Sequence, residues 1–251
     1  MKLAVAGKGG VGKTTLIALL SREAAARGFH VIAVDADPDA NLATTLGMDQ
    51  PPLTLSEEKD MIESRVGAGG LLKLNPTVDD IPDRYSVEAG GIRLLVLGGV
   101  RRGGGGCACP ANTLLRSLLH HLLLREGEVV LVDMEAGIEH LARATAQAVD
   151  ALVVVVGPDR RTLETAARIV RLAHDIGIRK IVAVGNSVRS PDEEKRIRND
   201  LPEGVQLLAV LPYLEDLRVD GVLDASAGEP LIDQVKELYS VLEKSLVSSK
   251  A

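Results

Sequence analysis

Tryptophan is absent from the 251 residues, phenylalanine occurs once and tyrosine three times. A chain with so few aromatic rings lacks the flat side chains on which single-stranded nucleic-acid binders stack bases. Positive charge is not in excess either: 29 Lys and Arg stand against 35 Asp and Glu, a net charge of −6. That balance argues against a general nucleic-acid footprint and leaves room only for a local basic patch. No apolar run approaches the ~20 residues needed to span a bilayer. No signal-peptide pattern precedes the first strand-like segment, so a cytoplasmic location is expected, with neither membrane nor nucleic acid as a partner. Two cysteines cannot staple a fold in a reducing compartment. What is plentiful is aliphatic: 46% of the residues are hydrophobic, which suits one α/β domain over 1–251, with two small domains the alternative.

Apolar runs alternate with segments of helical spacing. The runs predict strands at 2–6, 30–35, 71–75, 92–97, 129–134, 151–156, 180–185 and 206–211. Helices are predicted at 13–27, 56–66, 111–126, 138–148, 160–176, 192–200 and 229–247. Near-continuous Val, Ile and Leu in the strands means burial on both faces, hence a mainly parallel sheet. Alternation with helices makes that sheet doubly wound. The stretch 75–92, with Pro76, Pro82 and Gly90-Gly91, reads as an irregular surface excursion. The last helix is apolar on one side, but Asp233, Glu237 and Glu243 dilute the basic face that a membrane-lying helix needs. Packing on the sheet is its expected use.

Residues 7–15 read Gly-Lys-Gly-Gly-Val-Gly-Lys-Thr-Thr, and Gly7, Gly12, Lys13 and Thr14 complete the phosphate-loop pattern G-x-x-x-x-G-K-[ST] between a predicted strand and a predicted helix. Glycines let several backbone N–H groups converge on one anion, and the helix that follows points its positive end at the same place. The loop residues Gly9, Gly10, Val11, Gly12, Lys13, Thr14 and Thr15 are therefore the expected nucleotide cradle for ATP or ADP. Lys13 would neutralise phosphate oxygens and Thr14 would offer its hydroxyl to Mg²⁺. The strand at 129–134 runs into Asp133, the apolar-strand-then-acid arrangement that holds Mg²⁺ in such enzymes.

Lys8 departs from ordinary phosphate loops. With it the motif resembles the deviant Walker A loop of the SIMIBI-class ATPases, the group of the nitrogenase iron protein and the MinD/ParA proteins, and the fold class implied is a P-loop NTPase of that class. In that group the early lysine reaches across a homodimer to the partner's phosphates, so the resemblance gives Lys8 a catalytic role in trans; a plain solvated loop lysine is the alternative. Asp35-Ala-Asp37-Pro-Asp39 resembles switch I of the same class. By position Asp37 would orient the attacking water and Asp35 would support Mg²⁺ through its waters, with Asp39 a second candidate and a simple Asp-Pro turn the alternative. Asp133-Met-Glu-Ala-Gly137 resembles switch II. Glu135 and His140 read as ordinary solvent-facing or helix-capping side chains. Asn186 and Pro212 follow two later strands at the places where the class holds adenine; Ser187 replaces the lysine often found after that Asn.

The two cysteines, Cys107 and Cys109, stand one residue apart in Gly103-Gly-Gly-Gly-Cys-Ala-Cys-Pro110. A disulfide at this spacing is strained, whereas both thiolates can share one soft metal ion. Two thiolates make half of a tetrahedral site, and a two-fold dimer would supply the other half. Buried packing residues, or a zinc clamp that only holds the dimer, are the alternatives. The loop, the two switches and the mid-chain Cys-x-Cys together resemble CooC-type proteins, ATPases that insert nickel into carbon monoxide dehydrogenase. That resemblance implies Ni²⁺ as cargo, with Zn²⁺ equally compatible with thiolates, and a nickel enzyme as client. A ParA/MinD-like positioning ATPase would leave the cysteine pair without a purpose, and an iron–sulfur carrier of this class would carry single cysteines far apart.

Overall fold

The computed structural model describes residues 1–67, 73–98, 110–124, 127–134, 148–214 and 229–247. Eight strands form one sheet: β1 (Lys2–Gly7), β2 (His30–Ala36), β3 (Val87–Ala89), β4 (Ile92–Val96), β5 (Glu128–Met134), β6 (Ala151–Val156), β7 (Ile181–Val188) and β8 (Gln206–Pro212). Their order is β3-β4-β2-β5-β1-β6-β7-β8. Every pairing is parallel except β3 with β4. The doubly wound, mainly parallel α/β fold expected from the strand–helix alternation is the observed one.

The helices are α1 (Lys13–Ala26), α2 (Leu42–Leu46), α3 (Lys59–Val66), α4 (Ile81–Tyr85), α5 (Pro110–Leu124), α6 (Arg160–Ile176), α7 (Pro191–Asp200) and α8 (Glu229–Val247). Successive strand residues point to opposite faces, so β1 serves two cores at once. Leu3 and Val5 join Leu16, Ile17 and Leu20 of α1, Leu42 of α2, and Val235, Leu238 and Leu242 of α8. Ala4 and Ala6 face the other layer, with Ile62 of α3, Leu114 and Leu118 of α5, Ile169 of α6 and Ile197 of α7. The apolar side of α8 is thus spent on the core. Among the described residues no helix is long and apolar enough to cross a membrane.

Helix starts follow local chemistry. Asp159 caps α6 by accepting from the Arg161 and Thr162 amides, and Ser190 caps α7 by accepting from the Glu193 amide, with Pro191 in the first turn. Several sequence expectations need correction. Residues 73–75 form no strand: Leu74 is 75% exposed, Lys73 donates its N–H to the Val66 carbonyl, and Pro76 follows. A run of leucines looked like a two-sided strand, but its described end has no sheet to enter. The helix expected over 56–66 is a 3-10 turn at Leu55–Glu57 followed by α3, broken at Glu58. The stretch 75–92 is more ordered than expected, holding α4 and the edge strand β3. Arg65 pairs with Asp80 and Arg93 with Asp83 there, pinning the excursion to α3 and β4. Of the helix expected at 138–148, residues 138–147 lie outside the described residues.

Candidate functional site

The order of the sheet creates the site. β1 lies between β5 and β6, and the chain turns from β1 toward β2 on one side while β6 to β8 extend on the other. In open parallel sheets such a switch point leaves a crevice at the carboxyl ends of the strands. β1 ends at Gly7 and the loop 8–12 fills that crevice before α1 starts at Lys13. The glycines at its two ends, Gly7 closing β1 and Gly12 before α1, are dictated by contact. A Cβ on Gly7 would lie 2.6 Å from the Val155 carbonyl oxygen, and one on Gly12 would lie 2.2 Å from the Asn186 amide nitrogen while φ is +97°. Both positions exclude any larger residue. Gly9 and Gly10 meet nothing on that side, which leaves an open approach to the loop.

Parallel registration of β2 with β5 sets Asp35 beside Asp133. Both carboxylates are fully buried. Asp133 Oδ2 accepts from the Thr14 hydroxyl at 2.6 Å, whereas its Oδ1 has no hydrogen-bond partner among the described residues. Burial pushes the Asp133 carboxyl up to about 7, with the Thr14 hydrogen bond opposing and the charge of Asp35 adding to it. Burial likewise raises Asp35 to about 6. Its two oxygens are used, Oδ1 accepting from the Asp37 amide and Oδ2 from the Leu42 amide, so Asp35 holds the segment 37–42 in place. Asp37 Oδ1 accepts from the Asp39 amide, and the tight turn leaves Ala40 at φ +45°. Asp37 Oδ2 is 3.7 Å from Lys13 Nζ, a lysine only 5% exposed.

A buried carboxylate oxygen without a donor, next to a hydroxyl and a second acid, is a good fit to Mg²⁺: a cation there would satisfy Asp133 Oδ1 and repay the burial of charge. Thr14 and Asp133 are the side chains that could hold it, with Asp35 behind them. The folded-state pKa of Asp133 lies above its unfolded value, so the protonated form stabilises the metal-free fold at low pH and that contribution is lost as pH rises through about 7. Asp133→Asn is therefore expected to raise the melting temperature of metal-free protein at pH 8 by about 5 °C, and by much less at pH 5. Thermal melts in EDTA at both pH values check this; an equal shift at the two would contradict it.

A cavity of about 210 Å³ opens beside the loop, lined by Lys8, Gly9, Gly10 and Val11 together with Gly157, Pro158, Asp159, Thr162, Asn186 and Ser187. Lys8 lines it and makes no ion pair among the described residues. Asn186 reaches the loop directly, donating Nδ2 to the Val11 carbonyl at 2.8 Å. Thr15 lies in the first turn of α1. Pro212 ends β8 opposite Val188, outside this lining. The structure thus gathers Lys8, Lys13, Thr14, Asp35, Asp37, Asp133 and Asn186 around one loop. The segment 157–162 was missed by sequence reasoning; the Gly-Pro-Asp-Arg-Arg-Thr run after a strand was a legible helix start, but nothing local said it would face the loop. Cys107, Cys109, Glu135, Gly137 and His140 lie outside the described residues. Among the described residues no cluster of three or more His, Cys, Asp or Glu side chains is arranged to hold a metal ion.

The chain matches the family model for the CobQ/CobB/MinD/ParA nucleotide binding domain over residues 2–221. It is 45% identical over 221 residues to the carbon monoxide dehydrogenase accessory protein CooC of Rhodospirillum rubrum, covering 85% of this chain and 84% of that protein. It is 44% identical to an uncharacterized ATP-binding protein of Methanocaldococcus jannaschii, covering 86% and 87%. Its fold superposes on septum site-determining MinD with Mg-ADP from Pyrococcus horikoshii (TM-score 0.70, 20% identity, 99% and 98% covered). It likewise superposes on a chain of the MinC:MinD cell division protein complex of Aquifex aeolicus (TM-score 0.71, 20% identity, 96% and 95% covered). A phosphate loop with an early lysine, set at the switch point of this sheet and carried by a chain so similar to these relatives, places the protein in the CobQ/CobB/MinD/ParA family of nucleotide-binding ATPases, in its CooC-type branch.

Proposed function

We propose that this ATPase works as a homodimer that carries a metal ion, nickel, to a nickel enzyme of the carbon monoxide dehydrogenase kind. The similarity to the Rhodospirillum accessory protein carries this reading, and the Cys107/Cys109 pair supports it. The phosphate loop, Asn186 and Pro212 hold ATP. Lys13 binds its phosphates. Thr14 and Asp133, backed by Asp35, hold Mg²⁺, which when bound neutralises phosphate charge. Asp37 orients a water molecule that attacks the γ-phosphorus; the bond from that phosphorus to the bridging oxygen breaks, giving ADP and phosphate. Lys8 of the partner subunit completes the charge at the phosphates, so hydrolysis requires the dimer. Cys107 and Cys109 from both subunits bind the cargo ion, and opening of the dimer after hydrolysis frees it to the client.

The burial of the apolar side of α8 in the core favours this reading over a membrane-positioning ATPase. Equilibrium dialysis tests the cargo site. With ATP present, wild-type protein is expected to retain about one Ni²⁺ or Zn²⁺ per two subunits, the stoichiometry of a four-thiolate site shared across a two-fold axis. The double variant Cys107→Ser, Cys109→Ser is expected to lose it while keeping nucleotide binding. Unchanged metal content would remove the site. Competition between the two ions under non-denaturing mass spectrometry then identifies which is preferred.

A further inference from the structure

β7 is buried from Ile181 to Gly185, and its register with β8 shifts at Ala183/Val184 and again past Gly185. A shift between Gly185 and Val188 and a left-handed Ser187, at φ +59°, lift the strand end over the crevice. Tyr213 at the end of β8 pins that irregular end through its N–H to the Val188 carbonyl. The result is that Asn186, half-buried, reaches a residue 175 positions away and donates Nδ2 to the Val11 carbonyl at 2.8 Å. A carbonyl can only accept, so the amide nitrogen must face the loop and the amide oxygen must face away from it. The same nitrogen occupies the space that a side chain on Gly12 would need.

From this geometry we infer that Asn186 is a positioning residue of the phosphate loop, not only a neighbour of the base. Its hydrogen bond fixes the orientation of the peptide joining Val11 to Gly12. That peptide leads into Gly12, the residue that precedes α1, so its setting helps aim the following N–H groups and the Lys13 stem. Within the loop the Val11 N–H donates to the Lys8 carbonyl, whereas the Val11 carbonyl is held from outside by Asn186, at the step into Gly12, whose φ of +97° few other residues adopt. The inference rests on residues 7–15 being the phosphate site.

Three proteins are compared: wild type, Asn186→Ala and Asn186→Asp. Asp keeps the shape of Asn but turns an oxygen toward the Val11 carbonyl, so a role in packing and a role as donor give opposite results. The ligands are Mg-ATP and Mg-tripolyphosphate, which has no base. Both variants are expected to weaken both ligands by about tenfold, Asp at least as much as Ala. Amide exchange in a peptide covering residues 8–14 should speed up in both variants, while a peptide from β6 is unchanged. Loss of ATP affinity with tripolyphosphate unaffected would reduce Asn186 to a base contact. An Asp variant that behaves like wild type would reduce it to packing. Unaltered exchange at residues 8–14 overturns the inference on its own, whatever the affinity of the base-free ligand. Lys13→Ala serves as the separate check: if it weakens neither ligand, the assignment of the loop fails and not the role of Asn186.

Discussion

Lys13→Ala is expected to abolish measurable binding of Mg-ATP, weakening it by more than about 100-fold, the scale of losing a charge-assisted contact to phosphate in a buried site. Lys13 is 5% exposed at the first position of α1, and its charge acts on Asp35 and Asp133 as well as pairing with Asp37. Removing it would leave three carboxylates around the place where a polyanion must sit. Repulsion then adds to the lost attraction. Isothermal titration with Mg-ATP reads the effect, and thermal melts confirm that the variant is folded. A dissociation constant within about threefold of wild type would show that the phosphates bind elsewhere.

Asp37→Ala is expected to leave nucleotide binding intact and lower kcat by at least about 100-fold, the scale on which a positioned group acting on an attacking water contributes. Binding survives because the charges of Asp35 and Asp133 still act with the buried Lys13, and the incoming phosphates take the place of Asp37 as its partner. Mixing turns this into a test of the dimer. In a heterodimer of Asp37→Ala with Lys8→Ala, one site keeps its own Asp37 and takes Lys8 from the other subunit, while the second site lacks both. Random pairing makes half of the dimers mixed, so the mixture should recover about a quarter of wild-type activity when each parent has almost none. If heterodimers form, as native mass spectrometry would show, yet no mixture exceeds its parents, Lys8 does not act across the interface.

The central machinery was legible because it is local. Gly7 to Thr15 carries its chemistry within nine consecutive residues, and the strand before it and helix after it are signalled by their own periodicity. Asp133 was legible for the same reason, as an acid closing an apolar strand. Errors arose where a local signal had two readings. Leucines near residue 74 look alike whether they enter a sheet or face water, and only the absence of a neighbouring strand at 73–75 decides. The short α2, α4 and β3 are too brief to carry a periodic pattern, and are held by the excursion's ion pairs and by Asp35.

The amino-acid order by itself determined a phosphate loop with an early lysine, a parallel sheet and the acids at its strand ends, since backbone freedom, burial on both faces and side-chain charge are properties of neighbouring residues. Tertiary structure alone decided which distant groups meet. Strand order placed Asp35 against Asp133, one oxygen of which has no donor among the described residues. An irregular end of β7 carried Asn186 to Val11. Contacts between residues some hundred positions apart or more depend on how strands are ordered and registered, and no short stretch of chain encodes that.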